Sequence, residues 1–440
     1  MTMARAMVWR EAMSSSLARV TASGMARGLE CFTRCSERSL ASGARLRGDA
    51  EVAGGRRYAH PELLPSGEKM SSTPSQTTPI ACPRLCADLP GLAGTLKASA
   101  EDFVVEEIAA YAASGQGDHL FLWVEKRDLD GASLLRKIAA HFGIEQAEVA
   151  SAGTKDRVAV TRQWLSVPAE VLAGREPAEV VGEVDASIRI LDAALHTNKL
   201  RTGHLAGNRF ELRVRDLQAL DDGDEASVEA RIHAIEARLK ALGVPNFYGS
   251  QRFGRQGQNL FRGLRWLQGG RSPKGRFQRK MAVSAVQSEI FNRVLARRLE
   301  DGSWRRALDG DVFEKLDSGG RFWVGPDELE EVQGRIDAGE LVITGPMPGY
   351  KEGVAQGEAG RIEQEVLSEL GLEVEMFRAA GKMGRGARRA LTLPMPALDV
   401  TMEDAMSARV AFALPSGSYA TVVMREFLGR EDLDEADPVL

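Results

Sequence analysis

Several features are scarce or missing in this chain of 440 residues, and each absence removes a class of protein. Four cysteines are too few for a disulfide framework at this length, so a reducing compartment is expected. They fall into two Cys-x-x-x-Cys pairs, Cys31/Cys35 and Cys82/Cys86. Neither pair has the tighter spacing of a zinc knuckle, and no metal is assigned. The six histidines are scattered and no His-Glu-x-x-His occurs. No apolar run approaches the roughly 18 residues of a membrane-spanning helix, so no membrane association is expected. Neither a Walker A loop nor a Gly-x-Gly-x-x-Gly stretch is present, which leaves a nucleotide cofactor without a visible cradle. The Gly-x-Ser-x-Gly elbow of a serine hydrolase is missing too, and Pro415–Tyr419, its nearest approximation, reads as a turn. Positive charge is not in excess: the net charge of −5 argues against coating nucleic acid by charge alone, but not against a local basic face.

With 43% apolar residues, a large core is feasible, and the length predicts two or three domains. Residues 1–78 are rich in Ser, Ala, Gly and Arg and lack sustained periodicity, which predicts a disordered or targeting-like extension. Its Arg- and Ser-rich, acid-poor start has the outline of a transit peptide, without the apolar core of a secretory signal. The expected compartment is the cytoplasm, with organelle targeting left open.

Order is expected from Pro79 onward. Asp102–Ile108, His119–Lys126, Ala159–Val167, Ala186–Leu191 and Arg209–Val214 read as strands. Leu134–Phe142 carries a helical stripe that stops at Gly143, and Glu225–Leu242 reads as a helix ended by Gly243 and Pro245. From Ser284 the pattern is mainly helical, with Ser284–Leu299 the clearest case, and Val410–Leu414 and Tyr419–Leu428 return to an apolar pattern. This mixture predicts an α+β protein in which a sheet-rich domain is interrupted by a more helical one.

Two stretches stand out chemically. In Ala152-Gly153-Thr154-Lys155-Asp156-Arg157, a glycine and a polar cluster between two strands describe a tight loop that presents side chains. Flanking cations favour an ionised Asp156, which is then a candidate nucleophile or base. An ordinary charged turn has the same spacing. In Pro245–Gly254, three aromatics lie among amides, Arg252 and glycines, and from Asn246 to Lys280 there are nine Lys or Arg and no Asp or Glu. That composition suits a loop in which cations meet phosphates and aromatic faces meet unstacked bases. A solvated basic helix beside a core aromatic cluster would read the same. Two further basic stretches, Lys199–Phe210 and Lys382–Arg389, read singly as solvated surface.

Taken together, an ordered set of stretches resembles one family, the TruD-type tRNA pseudouridine synthases. The set comprises Leu96-Lys97 with Glu101–Val105, Gly153–Asp156 with Val160–Trp164, Lys199–Arg201 with Gly207-Asn208, Asn246–Gly254, Ser284–Ser288 with Phe291-Asn292, and Leu414–Thr421 with Arg425-Glu426. The resemblance implies a pseudouridine synthase catalytic domain with a mixed, mainly antiparallel sheet (79–270 plus 395–440), interrupted by a family-specific α+β insertion domain (271–394). It implies that the chain isomerises a tRNA uridine, in the bacterial family usually uridine 13, and needs no cofactor. It places the catalytic aspartate on Asp156, and supporting residues on Lys97, Phe103, Asn246, Tyr248 and Tyr419. In this sequence the order Phe247-Tyr248 reverses the family's usual Tyr-Phe, and Tyr419 stands where Phe is common; both keep a π-face and add a hydroxyl that wants a partner. Lys199, Arg201, Arg252, Arg255 and Arg262 are expected to contact tRNA. A member that kept the fold, lost activity and only binds or remodels RNA is the rival expectation; the intact Asp156 loop argues against it.

Overall fold

The computed structural model describes residues 78–429 apart from 90, 221–224 and 353–354. The expected extension, all but Thr78 of it, lies outside the described residues, as do Cys31 and Cys35.

Ten strands form the main sheet. They are β1 (Leu92–Leu96), β2 (Phe103–Ala109), β3 (His119–Arg127), β4 (Ala150–Ser151), β5 (Val160–Pro168), β6 (Gly182–Asp185), β7 (Ile188–His196), β8 (Leu205–Ala219) and, after a long excursion, β15 (Asp399–Asp404) and β16 (Ser407–Pro415). The order is β15-β16-β8-β2-β5-β3-β7-β6, with β1 pairing β8 and β4 pairing β5. All pairs are antiparallel except β2 with β5, which run parallel over Val104–Glu106 and Val160–Arg162. The sheet is therefore mixed and mainly antiparallel, and the fold is α+β. Between β8 and β15 the chain forms a four-stranded antiparallel sheet from β10 (Val312–Lys315), β11 (Arg321–Phe322), β12 (Leu341–Met347) and β13 (Ala387–Ala390), in the order β11-β10-β12-β13. A small pair, β9 (Val244–Pro245) with β14 (Thr392–Leu393), closes the excursion at its two ends.

The helices are α1 (Gly131–Phe142), α2 (Glu225–Leu242), α3 (Gln258–Leu267), α4 (Arg276–Glu300), α5 (Leu329–Asp337), α6 (Gly357–Glu369) and α7 (Ala420–Leu428). None of the described helices is long and apolar enough to cross a membrane. Asp130 caps α1 by accepting from the Ser133 N–H (2.9 Å), and Gly143, at φ 65°, ends it in a left-handed turn that a glycine takes without steric cost. Alternation decides which strand residues face inward. Leu120, Leu122 and Val124 of β3 join Leu165 and Val167 of β5 and Leu134 and Ile138 of α1 in one core. A second core is continuous from Phe103, Phe210 and Phe412 of the main sheet through Ile235, Leu264 and Phe291 of α2, α3 and α4 to Phe313 and Ile343 of the smaller sheet. The two sheets thus share buried side chains, and this shared core sets the position of one against the other.

Candidate active site

The parallel pairing of β2 with β5 is short, and beyond it β4 takes the place beside β5, pairing Ala150 with Ser166 and Ser151 with Leu165. The loop from Ala152 to Ala159 leaves at this splay and carries Asp156. Its side chain is 49% exposed, and the Lys97 ammonium lies 4.0 Å from Oδ2. Lys97 has φ 58°, a left-handed conformation unusual for a residue with a Cβ. Such strain, of order 1–3 kcal/mol, persists where surrounding contacts hold it. Here the ammonium is 4.1 Å from the centre of the Phe103 ring, a cation–π contact that directs Lys97 toward Asp156. Phe103 is buried, edge-on to Phe210 at 6.3 Å.

Beneath the loop lies a buried charged layer. Lys155 donates to Glu107 Oε2 at 2.8 Å with both side chains almost wholly buried. Burial raises the Glu107 carboxyl above its ordinary range despite the pull of Lys155. Lys126, fully buried, donates to the main-chain carbonyl of Asp156 at 2.6 Å. Glu107 Oε1, Thr161 Oγ1, Gln163 Oε1 and Asn208 Oδ1 are buried and lack a hydrogen-bond partner. Lys126 and Glu107 were not singled out from the sequence. The signal was there: each is a charged residue at an inward position of an alternating strand, after Leu120, Leu122 and Val124 in one case and Phe103 and Val105 in the other.

Asn246, Tyr248 and Tyr419 gather in a second group. Arg389 of β13 organises it. Its guanidinium donates to the Asn246 carbonyl (3.2 Å), to Asn246 Oδ1 and to the Gly417 carbonyl (2.9 Å), and lies 4.2 Å from the centre of the Tyr248 ring. Burial pulls Arg389 below its ordinary pKa, offset by the nearby Tyr248 and Tyr419. Asn246 Nδ2 donates to the Ala390 carbonyl at 2.8 Å, so both ends of its amide are engaged by β13. Tyr248 is buried and edge-on to Phe291 (5.6 Å) and Tyr419 (6.0 Å), while Tyr419 remains half-buried. The expectation that Lys382–Arg389 is solvated surface is corrected in part: Lys382 and Arg385 are exposed, but Arg388 makes a buried ion pair with Glu363 (2.6 Å) and Arg389 holds this group together. The signal was missed because Glu363 and Asn246, the partners of Arg388 and Arg389, lie 25 and 143 positions away in sequence. Of the aromatics of Pro245–Gly254, Phe247, Tyr248 and Phe253 are all buried.

Strand register connects the two groups. Pro415 and Leu414, just before the Gly417–Tyr419 turn, pair with Gly207 and Asn208, and Asn208 pairs in turn with Glu107, the partner of Lys155. Asp156, Lys97 and Phe103 are close neighbours through Lys97, Asn246, Tyr248 and Tyr419 form a second set, and the pairings of β8 with β2 and β16 link the strands that carry them.

The expected RNA contacts divide. Arg255 and Arg262 are exposed, whereas Arg252 is half-buried, donates to Ser288 Oγ (3.1 Å) and flanks Tyr248 at 5.1 Å. Lys199 and Arg201, with Tyr111, His196, Asn198 and His204, line a cavity of about 450 Å³ that no carboxylate faces. This loop is tied to the Asp156 loop, since the Gly203 N–H donates to the Ala152 carbonyl at 2.7 Å. Lys199 also donates to the Ala147 carbonyl at 3.1 Å. A larger cavity, about 820 Å³ and lined by Arg297, Glu365 and Glu369, contains none of these residues. Among the described residues no cluster of three or more His, Cys, Asp or Glu is placed to hold a metal. Cys86 is buried in the core with its thiol pushed up to about 12, chiefly by burial.

Comparison with known proteins places the chain in a family. The model of the family described as tRNA pseudouridine synthase D (TruD) matches residues 80–269 and 276–427. The tRNA pseudouridine synthase D of Anaeromyxobacter dehalogenans (strain 2CP-C) is 41% identical over 362 residues, 81% of this chain and 99% of that protein. A protein of the same name from Thermus thermophilus is 40% identical over 363 residues, 82% of this chain and 96% of that one. A crystal structure titled as a TruD-type synthase from Methanosarcina mazei superposes with a TM-score of 0.64 at 25% identity, covering 78% of this chain and 95% of that one. The protein is thus an isomerase of the pseudouridine synthase class. Within that class the chain belongs to the tRNA pseudouridine synthase D (TruD) family.

Proposed function

We propose that this chain converts a specific uridine of tRNA, uridine 13, to pseudouridine, with Asp156 as the catalytic carboxylate and no cofactor. The N1–C1′ bond breaks, the detached uracil turns, C5 bonds to C1′, and the C5 proton is lost as N1 gains one. Atoms and electrons balance within the substrate. The observation that carries the reading is the setting of Asp156: half-exposed, at the mouth of the splay between β2 and β5, beside the Lys97 ammonium and above the buried Lys126 and Lys155. Fixed positive charge around a carboxylate holds it in place without reorganisation at the moment of reaction.

The target base must leave its stack at a cost of a few kcal/mol, and one aromatic contact returns roughly 1–3 kcal/mol. Tyr419, half-buried where Tyr248 is covered, is assigned that contact. Tyr248 and Asn246 support it from behind through Arg389. Lys199 and Arg201, in their carboxylate-free cavity beside the Asp156 loop, and Arg255 and Arg262 on the exposed basic run, are assigned to tRNA phosphates. In this reading residues 79–270 and 395–440 are the catalytic domain, residues 271–394 the insertion domain, and the enzyme works in the cytoplasm.

The test is a single-turnover assay with saturating enzyme on unmodified tRNA, with pseudouridine mapped by position. Asp156→Asn keeps shape and a hydrogen-bonding oxygen but is neither a useful nucleophile nor a base, so the chemical step should fall by at least about 10³-fold with tRNA affinity intact. Activity within a few-fold of wild type would remove Asp156 from the mechanism. Wild-type protein that binds tRNA and forms no pseudouridine would favour the inactive RNA-binding or remodelling reading.

A further inference from the structure

Lys126 is an anomaly in this fold. It occupies an inward position of β3 after Leu120, Leu122 and Val124, and its side chain is wholly buried. A buried ammonium is costly unless it is paired, and it has three donors to satisfy. Among the described residues Lys126 forms no ion pair, and its hydrogen bond is the one to the Asp156 carbonyl at 2.6 Å. Its cross-strand neighbours are Thr161 of β5 and Ile188 of β7, neither charged. Glu107, the buried carboxylate of this layer, is committed to Lys155. A methionine or leucine would continue the strand's apolar pattern at no such cost.

We propose that Lys126 is a positioning residue for the isomerisation: its ammonium pins the main chain at Asp156 and places a buried positive charge beneath the carboxylate. This rests on the reading of Asp156 as the catalytic group. The charges that face Lys126 come from the loop and from the end of β3. Asp156, Asp130 and Asp128 favour the ammonium, while Lys155 opposes it. Burial outweighs them and pushes Lys126 down to about 8. The charge beneath Asp156 is therefore present at neutral pH and disappears as the pH rises through that value.

The experiment compares wild type, Lys126→Met and Asp156→Asn in single-turnover assays from pH 6.5 to 9.5, with tRNA affinity and thermal unfolding measured on each. Methionine matches the length of the stem and removes both the donor and the charge. The expected result is a loss of at least ten-fold in the chemical step at pH 7, with unchanged tRNA affinity and an equal or higher Tm. The wild-type rate should also fall on the alkaline side near pH 8, and that limb should be missing from the Met variant. A loss under ten-fold overturns the proposal. A larger loss matched by a lower Tm or weaker tRNA binding overturns it as well, because it makes Lys126 a folding residue. If Asp156→Asn is inactive while Lys126→Met behaves as wild type, this inference alone fails; if Asp156→Asn is active, the catalytic assignment beneath it fails.

Discussion

The floor beneath Asp156 and the clamp around Arg389 are built on opposite principles. The floor holds two buried ammoniums, one buried carboxylate and four buried oxygens without hydrogen-bond partners. The clamp is well bonded: Arg389 donates three hydrogen bonds, and both ends of the Asn246 amide are engaged. A floor of this kind works through the sign and placement of charge, where one missing partner leaves a buried group uncompensated. The clamp works through shape, since the planar fork of an arginine meets three acceptors and a ring face at once. Changing charge should therefore damage the floor, and changing shape at constant charge should damage the clamp.

The largest effect on folding is expected from Lys155→Met, which leaves Glu107 buried without its cation. Breaking such a pair costs about 3–5 kcal/mol, read as a lower denaturant midpoint. Adding Glu107→Gln should restore most of that loss, because the uncompensated charge is then gone. If the double variant is no more stable than the single, the floor is held by packing and the contrast with the clamp fails.

Arg389→Lys tests the other side. It keeps the charge and loses the fork, so we expect a 10- to 100-fold slower chemical step, about 1.4–2.7 kcal/mol at tenfold per 1.36 kcal/mol, with a smaller effect on tRNA affinity. A lysine variant at wild-type rate would make the clamp a matter of charge as well.

A smaller effect concerns pH. Burial raises the Glu107 carboxyl above its ordinary value of 4.5, so the folded state keeps that proton to higher pH than the unfolded chain. The stability linked to it is complete below the unfolded value and is lost as the pH rises through the raised one. Glu107→Gln does not titrate, so its Tm relative to wild type should climb as the pH is taken from 4.5 toward neutrality. A constant difference would show that Lys155 cancels the effect of burial.

The smallest effect should come from Arg255 and Arg262, which belong to neither region. Replacing both with Ala should leave stability within about 0.5 kcal/mol. It should lower the salt dependence of tRNA binding by about one unit of slope per lost phosphate contact, with little change in single-turnover rate at saturation. An unchanged slope would make this basic run solvated surface.

Much of this was legible in the chain itself. Alternation marked β3, and strand-like runs marked β2, β5 and β8, within a few residues, because a half-buried strand must repeat every second residue. α4 begins at Arg276, eight residues before its apolar stripe becomes clear, because its first turns, with Arg276, Phe277, Arg279 and Lys280 exposed, leave no inward pattern to read. The glycine-led, charged Asp156 loop stood out for the same local reason: its chemistry lies in consecutive residues.

Tertiary structure alone decided which charges are buried and what they touch. Lys126 and Asp156 are thirty positions apart, and Arg389 lies 143 from Asn246, so no spacing announces either contact. The sequence by itself determined strands β2, β3, β5, β7 and β8, the order of the motifs and the charged loop that carries Asp156. The burial of Lys126 and Glu107, the covering of Tyr248 and the closing of the clamp by β13 depend on strands from distant segments meeting in register, and only the packed core supplies the desolvation that turns those charges into a site.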